Sequence, residues 1–348
     1  MNAGQTFLAD KPILVTGGAG FIGAHLVERL LNDGHAVVVI DDLSTGSIDN
    51  LKAVARHPRL RFIQSRISSY GPLDDLIAGA SYVFHLAAAV GVELVLKSSV
   101  HTITNNLNET QAVFAAALPN HTPVMLASTS EVYGRSPKAT FSETDDLVIG
   151  PPQIGRWSYA CSKLLDEFLA LAHHREDALP TTIVRLFNTV GPRQSGRYGM
   201  VLPRFIDAAR RGLPLRVYGH GRQTRCFCHV ADTVESMVRL KNSPEAVGEV
   251  FNVGNPEITS ITALARAVIE LLGSRSTIEP VEYSEVFQSG FEDMQHRQPD
   301  ISKLERATGF QPQIPLREII RRTAESMPQL EHPTDSGTHD SFRTNQVG

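Results

Sequence analysis

The segment ILVTGGAGFIGAHLVERLLNDG, residues 13–34, constrains the fold more than any other stretch of this chain. Its apolar start, Ile13 to Thr16, reads as a buried strand, and Phe21 to Asn32 carries helical spacing that stops before Gly34. Between them Gly17, Gly20 and Gly23 fall at three-residue intervals. In that context each glycine has a separate use. Gly17 permits a tight turn, Gly20 lets backbone N–H groups approach a pyrophosphate, and Gly23 allows a helix to pack closely on the sheet. The following run, AVVVIDD, delivers Asp41 about 20 residues further on, where a carboxylate accepts from both ribose hydroxyls. Such an acid repels a 2′-phosphate, so the cofactor expected is NAD rather than NADP.

Similar short apolar runs recur at Ala36 to Ile40, Leu60 to Ile63, Tyr82 to His85, Val124 to Ala127 and Thr182 to Leu186. Helical patterns separate them, among them Thr104 to Leu118 and Trp157 to His174. Strand and helix alternate, which predicts a Rossmann-type α/β fold with a doubly wound parallel sheet. After Asn188 the pattern breaks into pieces rich in Gly, Pro and Arg, implying a smaller, interleaved substrate-binding lobe. The expected division is a cofactor domain of 1–187 and 226–255, a lobe of 188–225 and 256–330, and a disordered polar tail of 331–348.

The bulk composition narrows the function classes. Thirty-three Lys and Arg against 37 Asp and Glu leave a net charge of -4, so nothing global attracts nucleic acid or an anionic membrane. No apolar run reaches the roughly 20 residues that span a bilayer. Three cysteines are too few for a disulfide framework, and the start MNAGQTFLADKP lacks the regions of a signal peptide, so a reducing cytoplasm is expected. Cys226, Cys228 and His229 in RCFCHV are too tightly spaced for an ordinary zinc site, and no metal is expected. His85, His101, His173 and His174 read as surface residues or as residues behind the site.

Two further segments carry chemistry. MLASTSEVYG brings Ser128, Thr129, Ser130 and Glu131 to the carboxyl end of an expected strand, where open α/β sheets bind ligands. WSYACSKLLDEF places Tyr159 and Lys163 four residues apart, on one face of a helix. A phenol is a poor base at neutral pH, but a nearby ammonium and a positive nicotinamide ring favour the phenolate. Tyr159 then takes the proton from a sugar hydroxyl, with Thr129 or its neighbour hydrogen-bonding the same oxygen.

With these residues in view the chain resembles the extended short-chain dehydrogenases/reductases, in the epimerase and dehydratase branch that acts on nucleotide sugars. The likeness runs from about Lys11 to about Ile320 through TGGAGFIG, FHLAA, TNNLNET, STSEVYG, YACSK, RLFNTVGPRQ, RCFCHV and HRQPDISK. It implies a NAD that stays bound and a sugar oxidised transiently at carbon 4 by Tyr159, Lys163 and Thr129. It implies that Phe21, Ile22 and Ala87 join the glycines and Asp41 at the cofactor, that Asn188, Arg225 and Arg297 meet the nucleotide diphosphate, and that Tyr218 packs the base. Arg193 and Arg204 are further candidates for the phosphates. One departure is Arg66 in QSRISS, where the family usually shows an Asp that accepts from the adenine amine; arginine has no acceptor.

Three chemistries can follow oxidation at carbon 4. A 4,6-dehydratase needs a base and an acid side by side, and Thr129-Ser130-Glu131 lacks the acid of the Thr-Asp-Glu form. A 4-epimerase needs only the Tyr and a hydroxyl. UDP-glucuronate decarboxylases resemble this chain in STSEVYG, in QTRCF and in RQPDISK, although YACSK departs from their YDEGK. In that reading oxidation makes a β-keto acid, which loses CO2, while Glu131 and Ser130 position the ring and assist proton delivery. A non-catalytic sensor of NAD and a UDP-sugar is a fourth reading, disfavoured by the intact Tyr159, Lys163 and Thr129. The two long helices carry Leu107, Val113, Phe114, Leu165, Phe168, Leu169 and Leu171 over more surface than one sheet face needs, and related enzymes pair these helices, so a homodimer is expected.

Overall fold

The computed structural model describes residues 11–89, 98–196, 200–286, 294 and 296–328. The 331–348 tail therefore lies outside the described residues. Seven strands form the main sheet: β1 (Ile13–Thr16), β2 (Val37–Asp41), β3 (Leu60–Gln64), β4 (Tyr82–His85), β5 (Val124–Thr129), β6 (Thr181–Leu186) and β7 (Glu249–Val253). They lie in the order 3-2-1-4-5-6-7 and all pair in parallel. Strands covered on both faces read as continuous apolar runs, which is why every residue of β1, β2 and β4 is buried. The winding reverses between β1 and β4, so a crevice opens at their carboxyl ends.

Helices α1 (Phe21–Asn32), α2 (Leu73–Ala78), α3 (Ser99–Ala117), α4 (Trp157–Asp177), α5 (Val201–Arg210), α6 (Val230–Lys241), α7 (Ile261–Leu271), α8 (Ser302–Thr308) and α9 (Leu316–Ser326) surround the sheet. Leu26 and Leu30 of α1 and Val234 and Met237 of α6 share one apolar core with β1 and β2. Ile77 of α2, Phe114 of α3 and Ala170 of α4 share another with Leu14, Val83 and Leu126 of the strands. A third core joins α5, α7 and α9 through Phe205, Leu264 and Ile320, away from the sheet. Between sheet and lobe, Tyr133, Phe141, Trp157 and Phe187 form a smaller cluster.

Helix α1 spans the residues expected for it. The expected helix at Thr104 begins earlier, at Ser99, and α4 runs past His174 to Asp177, ending where Ala178 turns left-handed at φ 54°. Strand β7 was not among the expected strands, because EVFNV breaks its apolar run with a polar residue. Asn252 sits inside it fully buried, donating to Phe141 O at 2.9 Å and accepting from the Tyr133 hydroxyl at 2.7 Å. A buried amide with partners of this kind is tolerated in a strand.

Candidate active site

The crevice continues into a cavity of about 560 Å³ that runs from the glycine turn to the lobe. At its cofactor end Gly17 has φ +68°, and a Cβ there would lie 2.8 Å from Ala87 N. A Cβ on Gly23 would lie 2.2 Å from Gly17 O, so any larger residue pushes α1 off the turn. Gly20 caps α1 without a side chain, which leaves the first N–H groups of the helix facing a cavity lined by Gly20, Phe21 and Ile22. Asp41 ends β2 at the same cavity. Its Oδ2 accepts from Ala19 N at 2.9 Å and its Oδ1 from Leu43 N at 2.8 Å. Burial pushes its carboxyl above the usual range, and these two hydrogen bonds work against the rise. Backbone donors, a helix N-terminus and a carboxylate one strand away fit a dinucleotide.

Deeper in the cavity stand Thr129, at the end of β5, and Tyr159, two residues into α4. Thr129 Oγ1 accepts from Glu131 N at 3.2 Å and so fixes the turn that carries Ser130 and Glu131. The Glu131 carboxylate lies between two guanidinium groups. Arg156 Nη2 donates to it at 3.1 and 3.3 Å, and Arg297 Nη1 donates to Oε1 at 2.7 Å. Arg297 Nη2 also reaches Ser130 Oγ at 2.5 Å. Burial alone would push Glu131 up, but the charges of Arg156, Arg297 and Arg225 outweigh it and hold the carboxyl at about 2. The carboxylate form of Glu131 is the one these guanidinium groups favour.

Burial pushes the Tyr159 phenol up, as do the carboxylates of Glu131 and Asp166, while the Thr129 hydroxyl and Arg297 pull it down. Lys163 is buried and its Nζ donates to Asp166 Oδ2 at 2.9 Å, so its charge is answered by a carboxylate instead of acting alone on the phenol.

The model of the NAD dependent epimerase/dehydratase family matches residues 13–254. The chain belongs to that family. It is 38% identical over 323 residues to a UDP-N-acetyl-alpha-D-glucosaminuronate decarboxylase of Bacillus cytotoxicus, a match that covers 92% of this chain and 99% of the relative. UDP-glucuronic acid decarboxylase 6 of Arabidopsis thaliana is 36% identical over 314 residues, covering 90% of this chain and 87% of its own. Among solved structures, a UDP-N-acetylglucosamine 4-epimerase from Methanobrevibacter ruminantium, in complex with UDP-N-acetylmuramic acid, superposes with a TM-score of 0.82 at 29% identity, over 92% of this chain and 98% of that one.

In this epimerase/dehydratase-family enzyme, NAD is the cofactor, and Gly17, Gly20, Phe21, Ile22, Gly23, Asp41 and Ala87 line the space where it fits. Arg66 also lines it, paired with Asp42 at 3.7 Å and hydrogen-bonded to Asn105. The residues expected at the diphosphate divide. Asn188 Nδ2 donates to Cys226 O at 3.2 Å, and Arg225 Nη1 donates to Thr224 O and Met294 O, each at 2.8 Å. Arg297 spends donors on Glu131 and Ser130 as described. Arg193, in a left-handed conformation at φ 69°, clamps Glu28 at 2.6 and 2.9 Å and Asn50 O at 2.7 Å, so it ties the lobe's first loop to α1. Tyr218 lines the lobe end of the cavity with Arg204 over its ring at 4.5 Å.

Sequence reasoning missed several residues. Arg156 lies three residues before Tyr159 and Asp166 three after Lys163, spacings that put each pair on one helix face and were legible as such. Less legible was the buried network behind β5. Arg185 Nη2 donates to Glu167 Oε2 at 2.8 Å and Nη1 to the Tyr133 hydroxyl at 3.0 Å, and Ser128 donates to Glu167. His85, expected at the surface or behind the site, is buried between Thr16 Oγ1 at 2.8 Å and Thr110 Oγ1 at 3.1 Å. Burial and Lys163 hold it neutral, at about 3. Burial pushes the Cys226 and Cys228 thiols up to about 12, and among the described residues no group of three or more His, Cys, Asp or Glu is set to hold a metal ion. No described helix is long and apolar enough to cross a membrane.

Proposed function

We propose that the enzyme decarboxylates a UDP-hexuronate, with UDP-glucuronate as the substrate. One observation carries this reading: Arg156 and Arg297 bring guanidinium groups to the cavity that holds Tyr159, beside Ser130 and Glu131. A guanidinium offers a planar fork of donors that suits the carboxylate of an anionic sugar. The relatives named as hexuronate decarboxylases support the same class.

Bound NAD supplies the acceptor for the carbon 4 hydrogen and returns it at the end of the cycle. The chain's own residues do the rest. Tyr159 takes the proton from the carbon 4 hydroxyl and later gives it back, and Thr129 orients that hydroxyl. Lys163 supports Tyr159 and the cofactor. Oxidation turns the substrate into a β-keto acid; its bond between carbons 5 and 6 breaks, CO2 leaves, and the enolate takes up a proton from water at carbon 5. Ser130 and Glu131 hold the ring, and Arg156 and Arg297 hold the negative charge as it moves from carboxylate to enolate. Asn188, Arg225 and Tyr218 bind the nucleotide, with Arg193 closing the loop beside it. These roles accompany a division into a cofactor domain of 1–187 and 226–255 and a substrate lobe of 188–225 and 256–330.

Incubating the enzyme with UDP-glucuronate, UDP-glucose and GDP-mannose and weighing the products tests the proposal. Loss of CO2 from UDP-glucuronate is expected; its turnover without loss of mass refutes decarboxylation. The 99% coverage of the Bacillus relative favours a second substrate, the 2-acetamido uronate, which belongs in the same panel. The enzyme is further proposed to be a cytoplasmic homodimer. Its three cysteines are unpaired, and Leu165 and Phe168 stand 51% and 62% exposed on α4, which packs beside α3 and its Val100, 80% exposed. Sedimentation showing only monomer at micromolar concentration refutes the dimer.

A further inference from the structure

We propose that Asp166 is a positioning residue that holds the Lys163 ammonium in a neutral buried pair and so keeps its charge from acting on the Tyr159 phenol. The inference rests on the reading of Tyr159 as the carbon 4 base. Its geometry is plain. Lys163 and Asp166 lie one turn apart on α4, their side chains are 2% and 0% exposed, and Nζ meets Oδ2 at 2.9 Å. This is the one hydrogen bond the ammonium makes among the described residues.

A buried ion pair contributes little stability over apolar residues of the same volume, so stability does not account for a carboxylate here. Its electrostatic effect does. An ammonium alone near a phenol favours the phenolate, whereas an ammonium with a carboxylate against it presents a dipole whose field falls off quickly. The neighbouring charges cannot take the place of Asp166, because they are already answered. On α4 itself Glu167 is bound by Arg185 of β6. From the turn after β5, Glu131 is bound by Arg156 and Arg297. From β4, His85 is neutral. Asp166 and Glu131 both oppose ionisation of Tyr159, and Asp166 is the one placed on its catalytic partner. The pair thus keeps the base protonated in the resting enzyme.

The test is the ultraviolet titration of tyrosinate in the NAD-loaded enzyme, with the Tyr159→Phe variant subtracted to isolate the one phenol. In Asp166→Asn the Tyr159 midpoint should fall by about one pH unit, as expected for an ammonium freed beside it. The acid limb of the turnover profile should move the same way, and Asp166→Glu should restore both. A merely structural role lowers turnover and leaves the midpoint where it was, and that result overturns the proposal. The double variant Lys163→Met with Asp166→Asn removes both charges and leaves no buried unpaired ion, so it serves where the single variant fails to fold. Its midpoint should match wild type; a rise in the double variant overturns the proposal equally. If instead Tyr159→Phe leaves turnover intact, the base assignment fails, independently of where the Asp166 variants titrate.

Discussion

The two ends of the cavity are built in opposite ways. The cofactor end comes mainly from one stretch, 13–43, with Ala87 against it, and its shape follows from close contacts: Gly17 against Ala87, Gly23 against Gly17 O, Asp41 against the N–H groups of Ala19 and Leu43. The substrate end is assembled from four segments, with Glu131 after β5, Arg156 at the start of α4, Arg225 on a short strand of residues 224–226 and Arg297 shortly before α8. Sterics govern the first and charge governs the second. Changes at the first should therefore release NAD, and changes at the second should leave NAD in place while altering the chemistry.

The sharpest break of that contrast is Tyr159→Phe. Turnover should fall by about 10²–10⁴-fold while each chain keeps its NAD, measured by denaturing the protein and assaying the supernatant. Loss of cofactor along with activity would mean that the two ends are not separable.

Next in size is Gly23→Ala. Its Cβ would stand 2.2 Å from a backbone oxygen that cannot move cheaply, so about 1–3 kcal/mol of stability should go, together with bound NAD. Thermal denaturation and cofactor content read this directly. An unchanged variant would show that the cradle is looser than its contacts say.

Asp41→Ala removes the hydrogen bonds expected from ribose along with those from Ala19 N and Leu43 N, and should weaken NAD by about tenfold, with discrimination against NADP reduced. Isothermal titration of stripped protein provides the check, and equal NAD affinity in variant and wild type removes Asp41 from the ribose.

The smallest effect separates the ends by pH. Glu131 sits at about 2 in the folded enzyme, below the usual carboxylate value of about 4.3, so its ionised form is bound more strongly folded than unfolded. That contribution is fully present above the unfolded value and is lost as pH falls through the folded one. Stability should therefore decline between about pH 4 and pH 2, and in Glu131→Gln the decline should be shallower. Denaturant midpoints across that range decide it; parallel curves would mean that the arginines do not hold the carboxylate.

What was legible in the sequence follows the same division. The glycine spacing, the strands flanking it, Asp41 and the extent of α1 came from patterns within about 30 residues, where backbone sterics and periodicity act directly. The Tyr159 and Lys163 pair was equally readable, because helical spacing alone puts them on one face. Strand β7 was not, since its Asn252 belongs in a sheet only once Tyr133 and Phe141, more than a hundred residues earlier, supply its partners. His85 passed for a peripheral histidine for the same reason, because its partners Thr16 and Thr110 lie on other elements.

The sequence by itself thus determined the parallel sheet and the glycine turn between β1 and α1, both of which rest on short-range geometry. Only the tertiary structure decided the charges gathered around Tyr159. It gathered Arg156, Arg225 and Arg297 about Glu131. Burial and Coulomb interactions depend on which groups the fold brings within a few ångströms, and no spacing along the chain encodes that distance.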